Sequence, residues 1–416
     1  MGWRKEKLDR LCEFKNGLWK GKKEPFIHVG VIRNTNFTKG GILDDSDIAY
    51  LDVEEKQYKT RKLEFGDLIL EKSGGGPKQP VGRVIAFEKR KGDFSFSNFT
   101  SIIRIKDKDC LNHSYLHKFL HYLYETGATE SMQRQSTGIR NLQLKEYKLV
   151  DVPLPPIPEQ KRIVAILDQA FAEIDQARAN AQQNINNARE LFESYLQQVF
   201  SQPTKSIEFS EIIDVLTDYH ANGSYKILKQ HVELKENEDF AWMVRSTDFE
   251  KQFKNNKRFI SEHAYHYLTK SKLFGGEIIM SKIGNAGKVY FMPETDRPCS
   301  LAMNLFLIRL DRTRANNEYV YRYLNSSSGK TQIEPKLKGA ATQTITKDNV
   351  RSLMIPIVSL DSQKERVEAL KQLENQVKSL EVLYLNKLHK IEELKKSILQ
   401  KAFTGELTKE NKGVAT

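Results

Sequence analysis

Four loops of this chain carry the side chains that could do chemistry. The first is Lys72-Ser73-Gly74-Gly75-Gly76-Pro77-Lys78-Gln79-Pro80, followed by Val81-Gly82-Arg83. Its glycines, Gly75 among them, let a backbone approach a partner closely. Lys72, Ser73, Lys78, Gln79 and Arg83 carry donors suited to phosphate oxygens and base edges. Across residues 71–91 six basic side chains oppose two acidic ones. The second loop, Lys282-Ile283-Gly284-Asn285-Ala286-Gly287-Lys288, offers Lys282, Asn285 and Lys288. Neither is a Gly-x-x-x-x-Gly-Lys-Ser/Thr nucleotide loop. Two further loops run over residues 134–141 and 336–344. They present Arg134, Thr137, Arg140 and Asn141, then Lys338, Gln343 and Thr344. Read singly, each loop is also compatible with an ordinary surface turn. Their equivalent placement along the chain is what argues for binding.

No residue is assigned a catalytic role. The chain lacks the Asn/Asp-Pro-Pro-Tyr/Phe and Phe-x-Gly-x-Gly marks of an adenine methyltransferase, and it has no Gly-x-Ser-x-Gly elbow. Short acid-x-Lys strings such as Glu54-Glu55-Lys56 arise by chance and do not establish a nuclease. His113, His117 and His121 line one helical face, but no carboxylate or Cys completes a metal-ligand spacing. A packed or solvated face is the expected reading, with no metal site.

The elements that must position these loops occur twice. Residues 137–200 and 340–403 superpose at a constant offset of 203 without a gap. Leu142 falls on Ile345, Val152-Pro153 on Ile355-Pro356, Gln160-Lys161 on Gln363-Lys364, and Phe200 on Phe403. The glycine loops echo each other too: Gly66-Asp67-Leu68-Ile69-Leu70 resembles Gly276-Glu277-Ile278-Ile279-Met280. A period this long is not a solenoid repeat. It makes the chain two similar halves, each a globular region followed by one long helix. Apolar runs at 26–32, 67–70, 81–87 and 101–105 read as strands, as do 278–280, 289–291 and 305–308. The spacing of Leu116, Phe119, Leu120 and Leu123 predicts a helix over 111–124.

Four prolines in residues 152–158 give an extended strap. Helix follows over 159–200, about 42 residues or roughly 60 Å. Its stripe is Val164, Leu167, Phe171, Ile174, Ala181, Ile185, Ala188, Phe192, Tyr195 and Val199. A second long helix begins with Asp361 or Ser362 as its cap and ends near Gly405. Its stripe is Val367, Leu370, Val377, Leu380, Tyr384, Leu388, Ile391, Leu394 and Ile398. Narrow stripes on long helices need a partner, and the simplest one is the other helix, antiparallel. The competing arrangement packs each helix on its own globular region. The expected fold is therefore α+β: two similar globular α/β regions, 1–155 and 203–358, separated by two long helices, 156–202 and 359–407, that form an antiparallel coiled coil. A polar tail, 408–416, closes the chain.

Composition sets the function class. The chain has 416 residues, 66 basic against 54 acidic, and a net charge of +12. A basic excess interleaved with aromatics and amides suits a polyanionic partner, of which nucleic acid is the usual one; the alternative is a soluble basic protein whose charge means nothing specific. No apolar run is long enough to span a membrane, and residues 1–5 lack the apolar stretch of a signal peptide. Cys12, Cys110 and Cys299 form no Cys-x-x-Cys and suggest a reducing, cytoplasmic setting.

With these residues assembled, the chain resembles the specificity (S) subunits of Type I restriction–modification enzymes over nearly its whole length. The resemblance rests on Val152-Pro-Leu-Pro-Pro-Ile-Pro-Glu-Gln-Lys161, on Ile355-Pro-Ile-Val-Ser-Leu-Asp-Ser-Gln-Lys364, and on residues 397–407, Ser-Ile-Leu-Gln-Lys-Ala-Phe-Thr-Gly-Glu-Leu. It implies that the globular regions are target recognition domains, each reading half of an asymmetric split DNA sequence. It implies a coiled coil that fixes the gap between half-sites. It also implies two methyltransferase (M) subunits that bring S-adenosylmethionine, and two restriction (R) subunits that bring ATP and Mg. The second strap departs from the pattern with Val358-Ser359 for two prolines and Ser362 for Glu. The first helix ends in Phe200-Ser201-Gln202-Pro203 rather than a Thr-Gly-Glu-Leu tail. Two other classes stay open on the residues alone: a stand-alone DNA-modifying enzyme, and a coiled-coil adaptor without DNA specificity.

Overall fold

The computed structural model describes residues 3–408 except 20, 22, 39, 77, 78, 137, 202, 203 and 255, and only the backbone of 135 and 136. The chain forms two compact units. Unit 1 comprises Met1–Gln182 and Leu385–Thr416, and unit 2 comprises Gln183–Tyr384. Each long helix therefore contributes to both units, a division that the linear order of regions does not suggest.

In unit 1 the main sheet is antiparallel, in the order Cys12–Asn16, Thr100–Ile105, Asp67–Glu71, Val84–Phe87. The central strands are apolar on both faces because both faces are covered: Leu68, Ile69 and Leu70 are all fully buried. A second sheet sets Ala49–Glu54 antiparallel and Phe94–Phe96 parallel to Phe26–Ile32. Unit 2 repeats both sheets. Ile213–Asp218, Leu305–Leu310, Ile278–Ser281 and Val289–Phe291 follow in the same order, and Ala241–Val244 lies between Phe259–Ile260 and the parallel Cys299–Leu301. The run 81–87 is a strand only from Val84, since Val81-Gly82 turns around the Glu71 backbone. The helix expected over 111–124 is His113–Glu125, capped by the Asn112 side chain, which accepts from the Tyr115 N–H at 3.0 Å.

The proline straps are edge strands. Asp151–Leu154 pairs with Arg4–Lys7, and Met354–Ile357 pairs with Lys205–Glu208. Pro153 and Pro356 sit in two-stranded ladders, where a missing N–H is tolerated. The shared Gln of the two straps has a structural reason. Gln160 is fully buried, accepts from the Asn112 N–H (2.9 Å) and donates to the Cys110 (3.0 Å) and Pro155 (2.8 Å) carbonyls. Gln363, also fully buried, makes the same three bonds with Asn316, Arg314 and Val358. One amide thus ties strap, helix start and domain together in each half.

The central helix runs Ile157–Ser201 and the C-terminal helix Leu360–Thr404. The latter is capped by Ser359, whose hydroxyl accepts from the Ser362 N–H, and not by Asp361 or Ser362. Gly405 leaves it at φ 80°, where a side chain would be strained, and the Glu406 and Leu407 amides close on the Lys401 carbonyl. In unit 1, Ile163 and Leu167 from the start of the central helix share a core with Leu399, Ala402 and Phe403 from the end of the other. In unit 2, Val367 and Leu370 share a core with Leu196, Val199 and Phe200. The segments are antiparallel within each unit, and Arg178–Glu392 (3.3 Å) and Arg189–Glu381 (2.5 Å) bridge them. So each domain receives the start of its own helix and the end of the other. Leu380 and Leu394, expected on the buried stripe, are exposed. A two-helix seam covers only a narrow line on each helix, and flanking positions stay in solvent.

No helix of the described residues is long and apolar enough to cross a membrane. Cys12 and Cys299 are buried free thiols, and burial pushes Cys12 up to about 12. His117 and His121 are packed on the main sheet side of their helix, with His117 Nε2–H donating to the Val84 carbonyl at 3.1 Å. His113 stands edge-on to Phe65.

Candidate nucleic-acid interface

In each unit the glycine loop and the pre-strap loop, distant in sequence, form one small sheet. In unit 1, Ser73–Gly75 pairs with Ile139–Leu142, which pairs in turn with Gln133–Ser136. Asn141 lies opposite Ser73 and Arg140 opposite Gly75, with a bulge between. The Ser73 hydroxyl donates to Asn141 Oδ1 at 2.5 Å. In unit 2, Ile283–Gly284 pairs with Gln343–Thr344, placing Thr344 opposite Ile283 and Gln343 opposite Gly284. The anchoring bonds also match. The Leu142 N–H donates to the Lys72 carbonyl at 2.8 Å, and the Ile345 N–H to the Lys282 carbonyl at 3.1 Å. Leu142 and Ile345 are the repeat partners at offset 203, so the repeat carries the loop pairing with it.

Gly75 is required by its surroundings, because a Cβ there would meet the Gln79 carbonyl oxygen at 2.5 Å. Mutual backbone bonds between Gly76 and Gln79 close that hairpin. Gln79 is exposed. Lys78 and Thr137 lie outside the described residues. Arg134 is exposed, and Arg140 and Asn141 are partly buried. Lys338, Gln343, Asn285 and Lys288 are all exposed, and Lys288 and Gln343 line one open hollow of about 530 Å³.

The leading lysines behave alike in geometry and differently in charge. Lys72 Nζ donates to Asn16 Oδ1 at 2.7 Å, and burial lowers its pKa. Lys282 Nζ instead meets Asp218 Oδ2 at 3.2 Å, and Lys347 reaches the same oxygen at 3.6 Å. Burial alone would raise the Asp218 carboxyl, but the two ammonium groups outweigh it and hold it below its ordinary value. Glu250 takes Lys288 (3.0 Å) and Asn285 (3.3 Å), and chiefly the Lys288 hydrogen bond lowers its carboxyl. The loop lysine of unit 1 is held by a neutral amide, whereas the loop lysines of unit 2 are held by carboxylates.

One sequence reading is corrected. Arg83 is not available to a partner. It is buried, with Nε and Nη2 both 2.8 Å from the Glu71 carboxylate and Nη1 2.8 Å from the Phe37 carbonyl. The paired carboxylate raises the guanidinium further, and the side chain is a buried strut beneath the loop. Conversely, sequence reasoning missed Asn16, Asp218, Glu250 and Trp19. Trp19 is 68% exposed and follows the strand that ends at Asn16.

The family model for the Type I restriction modification DNA specificity domain matches this chain twice, over residues 1–186 and 205–395. The chain belongs to that family. Among its relatives, the EcoKI specificity subunit of Escherichia coli K12 is 24% identical, covering 92% of this chain and 82% of its own. The StySPI specificity subunit of Salmonella potsdam is 23% identical over 92% of this chain and 83% of its own. The putative MjaX specificity subunit of Methanocaldococcus jannaschii is 21% identical over 97% and 93%. The solved HsdS subunit of Thermoanaerobacter tengcongensis shares the fold at a TM-score of 0.65 and 16% identity, covering 98% of this chain and 97% of that one. A chain from a study of Type I R-M assembly and conformational transition reaches 0.75 at 17% identity, with 98% of both chains covered. The double match of the family model falls on the two halves that the repeat defines.

Proposed function

We propose that this specificity-family chain is the DNA-reading subunit of a Type I restriction–modification complex, and that each unit reads one half of a split, asymmetric site through its joined pair of loops. The observation that carries this reading is the pairing of the glycine loop with the pre-strap loop at the equivalent place in both units, on segments that bear Lys, Arg, Gln, Asn and Thr. Lys72, Arg134, Arg140, Lys282, Lys288 and Lys338 supply the phosphate attraction, which weakens with salt. Gln79, Asn141, Ser73, Asn285, Gln343 and Thr344 supply base discrimination, at about 1–3 kcal/mol for each good bidentate pair. The chain itself is non-catalytic. Two methyltransferase subunits bring S-adenosylmethionine and receive the flipped adenine. Two restriction subunits bring the ATP- and Mg-dependent steps.

The test is co-expression with methyltransferase subunits, followed by mapping of methylated adenines on random-sequence duplex DNA. A single motif in two parts with a fixed spacer is expected. Methylation at one short unsplit motif would contradict reading by both units.

A further inference from the structure

A carboxylate on a surface meant for a polyanion needs a reason, and unit 2 has one. Glu250 ends the short helix Ser246–Glu250. Its Oε1 accepts from three donors, Lys288 Nζ at 3.0 Å, Asn285 Nδ2 at 3.3 Å and the Tyr290 hydroxyl at 3.3 Å. The side chain is held firmly. Phe249, one residue earlier, stacks on Tyr290 with ring centroids 4.7 Å apart. Asp248 locks the start of the helix by accepting from the Arg245 N–H and guanidinium, both at 2.8 Å. The chain then leaves through Gln252 and Phe253 at φ 50° and 58°. Such left-handed residues with side chains persist only where the surroundings over-determine them. Here the Phe253 N–H bonds the Asp248 carbonyl at 2.8 Å and its ring packs edge-on against Trp242.

Three donors on one oxygen exceed what balancing a single lysine requires. They orient the carboxylate, and among the described residues they leave Oε2 without a hydrogen-bond partner. An exposed carboxylate oxygen on an oriented side chain is an acceptor available to an N–H. On the edge of a base pair in the major groove, the N–H donors are the exocyclic amino groups of cytosine and adenine. We infer that Glu250 is a specificity-determining residue of unit 2, whose Oε2 accepts a hydrogen bond from cytosine N4 or adenine N6 of its half-site. This rests on the proposal that the 282–288 and 338–344 loops face DNA. In unit 1 the acid beside the glycine loop, Glu71, is instead turned inward to Arg83.

The experiment uses the subunit assembled with methyltransferase subunits and a random-sequence duplex library, sequencing the methylated products. In Glu250→Ala, one cytosine or adenine position of one half-site should relax by about 10- to 100-fold, the loss expected of one good base contact. The base at that position tells N4 from N6. The other half-site and the spacer should not change. Glu250→Gln keeps the shape without the charge and should alter preference at the same position, which holds the test open if the alanine variant folds poorly. An unchanged motif with tighter binding would overturn the inference and make Glu250 only a counter-ion for Lys288. Relaxation spread evenly over the half-site would overturn it too. Lys338→Ala and Gln343→Ala separate the two levels of argument. If they weaken binding while the Glu250 variants leave the motif intact, only the Glu250 assignment fails. If they leave affinity unchanged, the contact face itself is wrong and the assignment falls with it.

Discussion

The two units build one scaffold and dress it differently. Both hold a buried glutamine at the strap, an aromatic from the far end of the other helix, and a glycine loop paired with a pre-strap loop. What varies lies on and around the loops. Unit 1 pins Lys72 with the neutral Asn16, whereas unit 2 pins Lys282 with Asp218. Unit 1 supports its loop from below with the buried Arg83–Glu71 pair, and unit 2 has Ser281 where the repeat would place Glu71. Unit 1 packs His117 and His121 on one helix, and the aligned helix of unit 2 has Tyr321 and Asn325. The scaffold is what the helices and straps demand twice. The dressing is free to diverge, as expected if each unit faces a different base sequence.

The largest effects should come from the shared scaffold. Phe403 packs against Tyr115, Phe119 and Tyr122, and Phe200 against Tyr319 and Tyr323. Truncating a buried Phe costs about 3–5 kcal/mol. Phe403→Ala should therefore loosen residues 113–125, near the other end of the chain, and Phe200→Ala should loosen 317–325. Hydrogen exchange reads both. Loosening of 317–325 by Phe403→Ala would break the crossed arrangement of helix ends.

A smaller effect should separate the units by pH. Burial first, then His117, Lys395 and Lys118, pull His121 down to about 3, and burial likewise lowers His117. Glu125 (3.8 Å) and Glu88 are the nearby acids. A histidine depressed in the folded state contributes stability that is complete above its unfolded value of about 6.5 and is lost as pH falls. Unit 1 should lose about 2 kcal/mol between pH 7 and pH 5 from His121, while unit 2 loses nothing from this cause. Thermal melting resolved by unit checks this, and a His121→Asn variant, which copies unit 2, should flatten the profile.

These pieces were unequally legible in the sequence. The repeat, both long helices and the extended straps follow from local periodicity and proline chemistry. The antiparallel pairing follows from narrow stripes that need covering. The crossing of helix ends was not legible, because a stripe shows that a helix needs a core without naming which one. Arg83 stood in a basic loop and looked like a contact, but its fate was decided by Glu71, twelve residues earlier on the neighbouring strand. Glu250 lies 35 to 40 residues before the three donors that hold it, so no spacing rule could link them. Asn16 and Asp218 were missed for the same reason: each meets its lysine only after the sheet has formed.

The smallest effect comes from that last pair, and exchanging it sharpens the comparison. Asp218→Asn gives unit 2 the amide of unit 1, and Asn16→Asp does the reverse. Removing the carboxylate should steepen the dependence of DNA affinity on salt by about one counter-ion, and adding one should flatten it by as much. Affinity at low salt should move by about tenfold in the same directions, the order expected of one charge near a surface. Binding titrations at several salt concentrations measure both. Equal slopes in all three proteins would mean that the lysines face away from phosphates.

The central claim is that both units meet DNA through the same joined loops. Its most direct test is hydrogen exchange of the assembled subunit with and without a duplex carrying its methylation motif. Protection is expected at 72–76 and 133–142 in unit 1 and at 282–288 and 338–345 in unit 2, lost separately when either half-site is scrambled. Protection confined to one unit, or falling on other surfaces of both, would contradict the account.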